Sequence, residues 1–173
     1  MSLSWKDSLS QKINLVRTGE SNPPRICVIG VGNDLRGDDS AGLIVVRRLL
    51  ADERLKAITN LLILEGGPAP ENQTGALRIF QPDLVLFVDA AHFDAPAGTL
   101  QLIPIETIDG MSASSHSLPL SMLAKYITFE FGCQVNVLGI QPAQNEVGTN
   151  LSPPVCKTVG EIVEHLVSTS KFQ

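Results

Sequence analysis

The spacing of apolar residues along this chain changes several times, and each change marks an element. Trp5, Leu9, Ile13 and Val16 recur at helical spacing behind Ser4 and Asp7, which resemble a capping box, so residues 4–16 are predicted to form a helix. The stretch TGESNPP, residues 18–24, reads as a linker. An apolar run predicts strand one at residues 25–31, and helical periodicity from Ser40 predicts a helix over about residues 39–51. Leu61 to Leu64 reads as strand two, GGPAPEN as a loop, and a short helix ends near Gln81. Leu84 to Val88 is apolar throughout, as a strand buried on both faces would be. Gly98 to Ile103 predicts a fourth strand. Pro119 suits the first turn of a helix running to about Phe131. Gln134 to Ile140 is a further strand, and Pro153 and Pro154 open a last helix ending at about Ser168. Strands alternating with helices predict a single doubly wound three-layer α/β domain, with a mainly parallel twisted sheet flanked by helices. That domain is assigned residues 25–170, behind a helical arm and linker at residues 1–24.

Bulk properties narrow the function classes. A chain of 173 residues, 43% hydrophobic and 18% charged, can bury a sizeable core and is not a disordered chain. A net charge of −5 speaks against a nucleic-acid partner and favours a basic segment or a metal cation. The apolar runs are far shorter than a membrane span, and MSLSWKDSLSQK has no apolar signal core. The expectation is a cytoplasmic monomer without membrane insertion. Cys27, Cys133 and Cys156 are scattered and form no C-x-x-C pair, which fits a reducing compartment. Cys27 and Cys133 fall in predicted strands, where free cysteine serves as a small buried residue.

The most informative segment is ICVIGVGNDLRGDDSAGLIVVRRLL, residues 26–50. It begins as a strand–turn–helix crossover with Gly30 and Gly32 in the turn. A dinucleotide site would continue with a third glycine and aim backbone N–H groups at a pyrophosphate. Here Leu35 stands in the third glycine position, and Asp34, Asp38 and Asp39 crowd the turn with Arg36 as its only positive charge. Those carboxylates repel phosphate and suit a cation.

GVGNDLRGDDSAG resembles the signature of the hydrogenase maturation endopeptidases, which trim the C-terminal tail of the large subunit of nickel–iron hydrogenases. LEGGPAPEN (Leu64 to Asn72), LVLFVDA (Leu84 to Ala90), SSHSLPLSML (Ser114 to Leu123) and LGIQP (Leu138 to Pro142) follow in the family's order. The last two are most similar to the branch serving formate-hydrogenlyase-type hydrogenases. The resemblance covers about residues 25–168. It implies a hydrolase that removes the C-terminal extension of a nickel–iron hydrogenase large-subunit precursor after nickel insertion and recognises the nickel already bound there.

Ligands of such sheets bind beyond the carboxyl ends of the strands. Asp38 and Asp39 follow strand one, Asp89 follows strand three, and His116 precedes the Pro119 helix. Two carboxylates and an imidazole suit a borderline divalent ion such as nickel or zinc. The resemblance maps the family's metal ligands onto Asp39, Asp89 and His116, and these are expected to meet in one solvent-reachable cleft. In this reading nickel arrives in the substrate, and zinc or another divalent ion can occupy the site in isolation. Taken alone, each residue has an ordinary reading: Asp39 and Asp38 as helix caps, Asp89 as a strand end, His116 as a loop histidine.

Asp39 or Asp38 is the candidate general base, of an aspartyl-type or metal-dependent endopeptidase. Glu65, Gly66 and Gly67 are candidates for holding the substrate segment, and Asn33 for holding the turn through side-chain bonds to backbone. His92 reads as loop and His165 as solvated. Competing readings are a non-catalytic nickel-site chaperone that binds the precursor, a cysteine protease using Cys156, and a nucleotide-dependent oxidoreductase that tolerates the acidic turn. G-x-S-x-G and H-E-x-x-H are absent, so neither an ordinary serine hydrolase nor an ordinary zincin is indicated.

Overall fold

Every position of β1 (Ile26–Val31) and β3 (Leu84–Ala90) is buried, as unbroken apolar runs require when helices cover both faces of a sheet. The computed structural model describes residues 4–16, 23–108, 111–113 and 118–169. Most of the predicted linker, and His116, lie outside them. With β2 (Leu61–Gly67), β4 (Leu100–Ile103) and β5 (Gln134–Ile140), these strands form one sheet in the order β2-β1-β3-β5-β4. β2, β1, β3 and β5 run parallel, and β4 joins β5 antiparallel at the edge.

Successive strand side chains point to opposite faces, and the core divides accordingly. Val28, Leu86, Val88 and Leu138 pack against α1 (Trp5–Val16), α2 (Ala41–Ala51) and α5 (Pro153–Ser168). Cys27, Ile29, Phe87 and Val137 pack against α3 (Thr74–Phe80) and α4 (Leu120–Phe131). The result is the expected three-layer α/β architecture. α1 opens on the expected cap: Ser4 Oγ donates to Asp7 Oδ2 at 2.6 Å, and Asp7 N donates back to Ser4 Oγ at 3.2 Å. Its Leu9, Ile13 and Val16 are buried in the same core as α2 and α5. Among the described residues no helix is long and apolar enough to cross a membrane.

Some boundaries depart from expectation. β2 continues through Gly67, and Pro70–Gln73 forms a 3-10 turn, so GGPAPEN is not simply a loop. The α2 region begins as a 3-10 turn, Gly37–Ser40, before the helix proper at Ala41. Cys133 precedes β5 rather than lying in it, although it is buried as expected.

The connections position the site. α2 links β1 to β2 on one face, and α3 returns from β2 to β3 on the other. The neighbouring strands β1 and β3 therefore part at their carboxyl ends, the switch point where doubly wound sheets hold ligands. The start of α2 rests directly on both strand ends. A Cβ at Gly42 would lie 2.1 Å from the Val88 carbonyl oxygen and 2.4 Å from that of Val31, so only glycine permits this approach.

Candidate active site

Asp89 is the sixth residue of β3 and is completely buried. Its neighbour in register on β5 is Gly139. Ser112 Oγ donates to Asp89 Oδ2 at 2.6 Å, which fixes the carboxylate's orientation. The segment carrying Ser112 is itself tied to the strand end. Ala91 and Ser112 form an antiparallel bridge, Ala113 N donates to the Ala90 carbonyl at 2.8 Å, and His92 N donates to that of Met111 at 2.6 Å.

Asp39 lies in the 3-10 turn Gly37–Ser40, which packs against β3, and is 1% exposed. The turn closes on itself through backbone. Asn33 N donates to the Asp39 carbonyl at 3.2 Å and Asp39 N to that of Arg36 at 2.9 Å. Asn33 Oδ1 accepts from Leu35 N at 2.9 Å, the side-chain bond the sequence suggested. Gly32 has φ +135°, and a Cβ there would sit 1.8 Å from the Asp39 carbonyl oxygen. This closure counts against the dinucleotide reading. The N–H of Gly32 is bonded to the Gly67 carbonyl and that of Asn33 to Asp39, so neither can serve a pyrophosphate.

Asp38 is also buried but serves a different part of the molecule. Its Oδ2 accepts from Ala143 N (2.8 Å), Gln144 N (3.1 Å) and Ser152 Oγ (2.8 Å), and its Oδ1 from Ser152 N (2.6 Å). Ser152 is the N-cap residue of α5. Asp38 therefore pins the 143–152 loop and the start of α5 to the turn after β1. Its carboxylate oxygens are engaged by four donors, which makes it an effective anchor.

The three acidic residues of the turn do not crowd one point, as the sequence suggested. Asp34 faces outward and is held by Arg47 of α2, whose Nη1 and Nη2 donate to its two oxygens at 2.6 and 2.8 Å. The same guanidinium binds Glu65 Oε2, with Nε donating at 2.9 Å. Arg47 thus clips the turn after β1 to the end of β2, and Glu65 faces solvent as half of an ion pair. Of the two glycines beside it, Gly66 permits close packing, since a Cβ there would meet Ile29 Cγ2 at 2.8 Å. Gly67 (φ +59°) has open space around it and serves the turn.

The Arg47 hydrogen bond holds the Asp34 carboxyl below its ordinary value of 3.8. The folded state binds that proton less tightly than the unfolded chain. The pair therefore adds stability above that value and loses it as pH falls through the depressed folded value. Both side chains are about half exposed (43% and 50%), so screening keeps the contribution under about 1 kcal/mol. Arg47→Met is expected to cost at most that at neutral pH in urea unfolding, with the difference from wild type shrinking once the pH passes below 3.8.

Asp39 and Asp89, expected to share a cleft with His116, are both buried. Low-dielectric surroundings strengthen their attraction for a cation. No group of three or more His, Cys, Asp or Glu residues among the described ones could hold a metal ion. The third expected ligand, His116, lies outside those residues. A cleft of about 590 Å³ lies elsewhere, between α1 and β4, lined by Trp5, Ser8, Phe93 and Leu100 among others.

Comparison with known proteins settles the family. The family model described as hydrogenase maturation protease matches residues 44–169. A putative hydrogenase maturation protease of Methanocaldococcus jannaschii is 33% identical over 70% of this chain and 74% of its own length. The hydrogenase 3 maturation protease of Escherichia coli K12 is 33% identical over 65% of this chain and 69% of its own. The crystal structure of a NiFe hydrogenase maturation protease from Thermococcus kodakarensis KOD1 superposes with a TM-score of 0.76 at 34% identity, covering 90% of this chain and 96% of that one. The chain belongs to the hydrogenase maturation protease family.

As a hydrogenase maturation protease it acts on peptide bonds, and its two buried thiols are poorly placed to do so. Burial pushes the Cys27 thiol far above the ordinary range, with Cys133 nearby adding to the effect, and burial pushes Cys133 up to about 11. Cys156 is exposed on α5. Cys156→Ser is expected to cleave within about twofold of wild type, and loss of cleavage in the folded variant would revive the thiol nucleophile. His92 is exposed, as a loop residue would be. His165 is a correction. It is half-buried rather than solvated, because the ring of Trp5 meets it edge-on at 4.9 Å.

Three contributors escaped the sequence reading. Arg47 and Ser112 are described above. Gln141 is the third: its Oε1 accepts from Phe93 N at 2.8 Å and Ala95 N at 3.4 Å, holding the loop that leaves Asp89. The motif LGIQP contains Gln141 and was the available signal.

Proposed function

We propose that this protease removes the C-terminal extension of a nickel–iron hydrogenase large-subunit precursor after nickel insertion, and that Asp39, Asp89 and His116 read the bound nickel. The observation carrying this is the pair of buried carboxylates at the switch point, one following β1 and one ending β3. The chain leading to His116 supports the third ligand. Ala113, three positions before His116 in the chain, donates its N–H to the carbonyl of Ala90, the residue after Asp89. A carboxylate–carboxylate–imidazole set suits nickel and also zinc, which is expected to occupy the same ligands when the protein is isolated.

In this proposal nickel belongs to the substrate. Three protein ligands leave coordination positions for the precursor's own groups, so the ion bridges the two proteins and fixes the scissile segment. Asp39, rather than the saturated Asp38, serves as general base toward the attacking water. Glu65, Gly66 and Gly67 line the approach at the end of β2, where the substrate segment passes the Arg47 ion pair. Action on a precursor before its assembly is consistent with a cytoplasmic monomer.

The test is incubation of the purified protein with a nickel-loaded large-subunit precursor, read as the mass of the released C-terminal fragment. A formate-hydrogenlyase-type hydrogenase is the first precursor to try, given the resemblance of LGIQP. A single fragment of defined mass is expected. Tight binding without release of any fragment would be the behaviour of a nickel-site chaperone and would overturn the proposal.

A further inference from the structure

Within the sheet, no side chain stands beside Asp89 in register. Its partner on β5 is Gly139, and the β1–β3 pairing ends one residue earlier, at Gly30 and Val88. Gly139 is held as glycine by its surroundings, since a Cβ there would lie 2.4 Å from Ile103 Cδ1. The Asp89 carboxylate is met instead from beyond the strand, by Ser112. Ala91 and Ser112 oppose each other in an antiparallel bridge. The bonds from His92 N to the Met111 carbonyl and from Ala113 N to that of Ala90 lie on either side of this pair. Ala91 and Ser112 are therefore a non-hydrogen-bonded pair, the kind whose side chains approach most closely. Residues two apart on a strand share a face, which puts Asp89 on the face of Ala91 and diagonal to Ser112. The 2.6 Å bond from Ser112 Oγ to Asp89 Oδ2 follows from that register. A slip of one residue would turn Ser112 to the opposite face.

We propose that Ser112 is a positioning residue: it orients the Asp89 carboxylate toward the divalent cation that the site reads, so that cation affinity and cleavage both depend on its hydroxyl. The inference rests on the reading of Asp89 as a cation ligand given above. Carboxylates that ligate a metal are themselves held by hydrogen bonds, and losing such a hold typically costs about 10–100-fold in affinity or activity. Here the hold is short and charge-assisted, and it bears on a completely buried carboxylate. The geometry also separates positioning from simple bracing of the fold. Residues 111–113 are fastened to the end of β3 by two backbone bonds that do not involve the hydroxyl. Removing the hydroxyl therefore leaves the segment in place and acts on the carboxylate.

The experiment compares wild type with Ser112→Ala, Ser112→Thr, Asp89→Asn and the double variant Asp89→Asn/Ser112→Ala. Two quantities are read: zinc affinity of the protein alone by calorimetry, and kcat/KM on the nickel-loaded large-subunit precursor. Ser112→Ala is expected to lower both about tenfold, and Ser112→Thr, which keeps the hydroxyl, to recover both to within about threefold of wild type. Because Ser112 acts through the Asp89 charge, adding Ser112→Ala to Asp89→Asn is expected to change kcat/KM by less than about twofold. Thermal midpoints close to wild type are expected throughout, since the backbone bonds remain. Zinc affinity unchanged in Ser112→Ala would overturn the assignment, and so would equal losses in the alanine and threonine variants. A further loss of about tenfold in the double variant would overturn it too, because Ser112 would then act independently of Asp89. If the wild type releases no fragment, yet zinc affinity falls in Ser112→Ala and recovers in Ser112→Thr, the proposed cleavage fails and the positioning role stands.

Discussion

Asp89→Asn is expected to lower the cleavage rate at least about a hundredfold while leaving the protein folded. The amide keeps the size of the carboxylate and can still accept from Ser112 Oγ, so the bond at the end of β3 survives. What is lost is the negative charge. In buried surroundings a formal charge aimed at a cation is far more effective than in water, and an amide is a much weaker ligand for a divalent ion. Asp39→Asn should do the same, with an added loss of the general base proposed above. The measurement is single-turnover cleavage of the nickel-loaded precursor alongside a thermal melt. A folded Asp89→Asn protein cleaving within about tenfold of wild type would remove Asp89 from the site.

Asp38→Ala is expected to act on stability instead, lowering it by about 3–5 kcal/mol. Four donors converge on the Asp38 carboxylate, and its removal strands the buried N–H and hydroxyl of Ser152 together with the partly buried N–H groups of Ala143 and Gln144. The 143–152 loop and the start of α5 would lose their side-chain tie to the turn after β1, leaving the backbone bonds of Asp38 N to Gln144 and Gly148 N to Leu35. Asp38→Asn should recover only part of the loss, since its NH₂ would point a donor at donors. Urea unfolding reads the effect. A cost under about 1 kcal/mol for the alanine variant would show that the loop is held by other contacts.

The contrast between Asp38 and Asp39 shows where sequence reading stops. The parallel core, α2, α4 and α5 were legible because burial on two faces or one stripe leaves a local periodic record. Asp89 was legible because a lone carboxylate ends an unbroken apolar strand. Asp38 and Asp39 are adjacent, and nothing local separates their roles. Asp38 is defined by partners 105 to 114 residues further along the chain. Arg47 was hidden for a related reason. On helical periodicity it is simply a polar residue of α2, and only the fold brings it to both Asp34 and Glu65. His165 meets Trp5 across almost the whole length of the chain, so its polar-face position in α5 was misleading. The burial of Asp39 was not legible either, because it comes from the closed 3-10 turn and from the start of α2 sitting directly on the strand ends.

The central claim is that the site reads nickel held by the precursor. The most direct test divides one preparation of precursor into nickel-loaded and nickel-free halves, incubates both with the protein, and follows the C-terminal fragment by mass. The account predicts release of the fragment from the loaded half only, and none from the loaded half with Asp89→Asn. Equal release from both halves would contradict it.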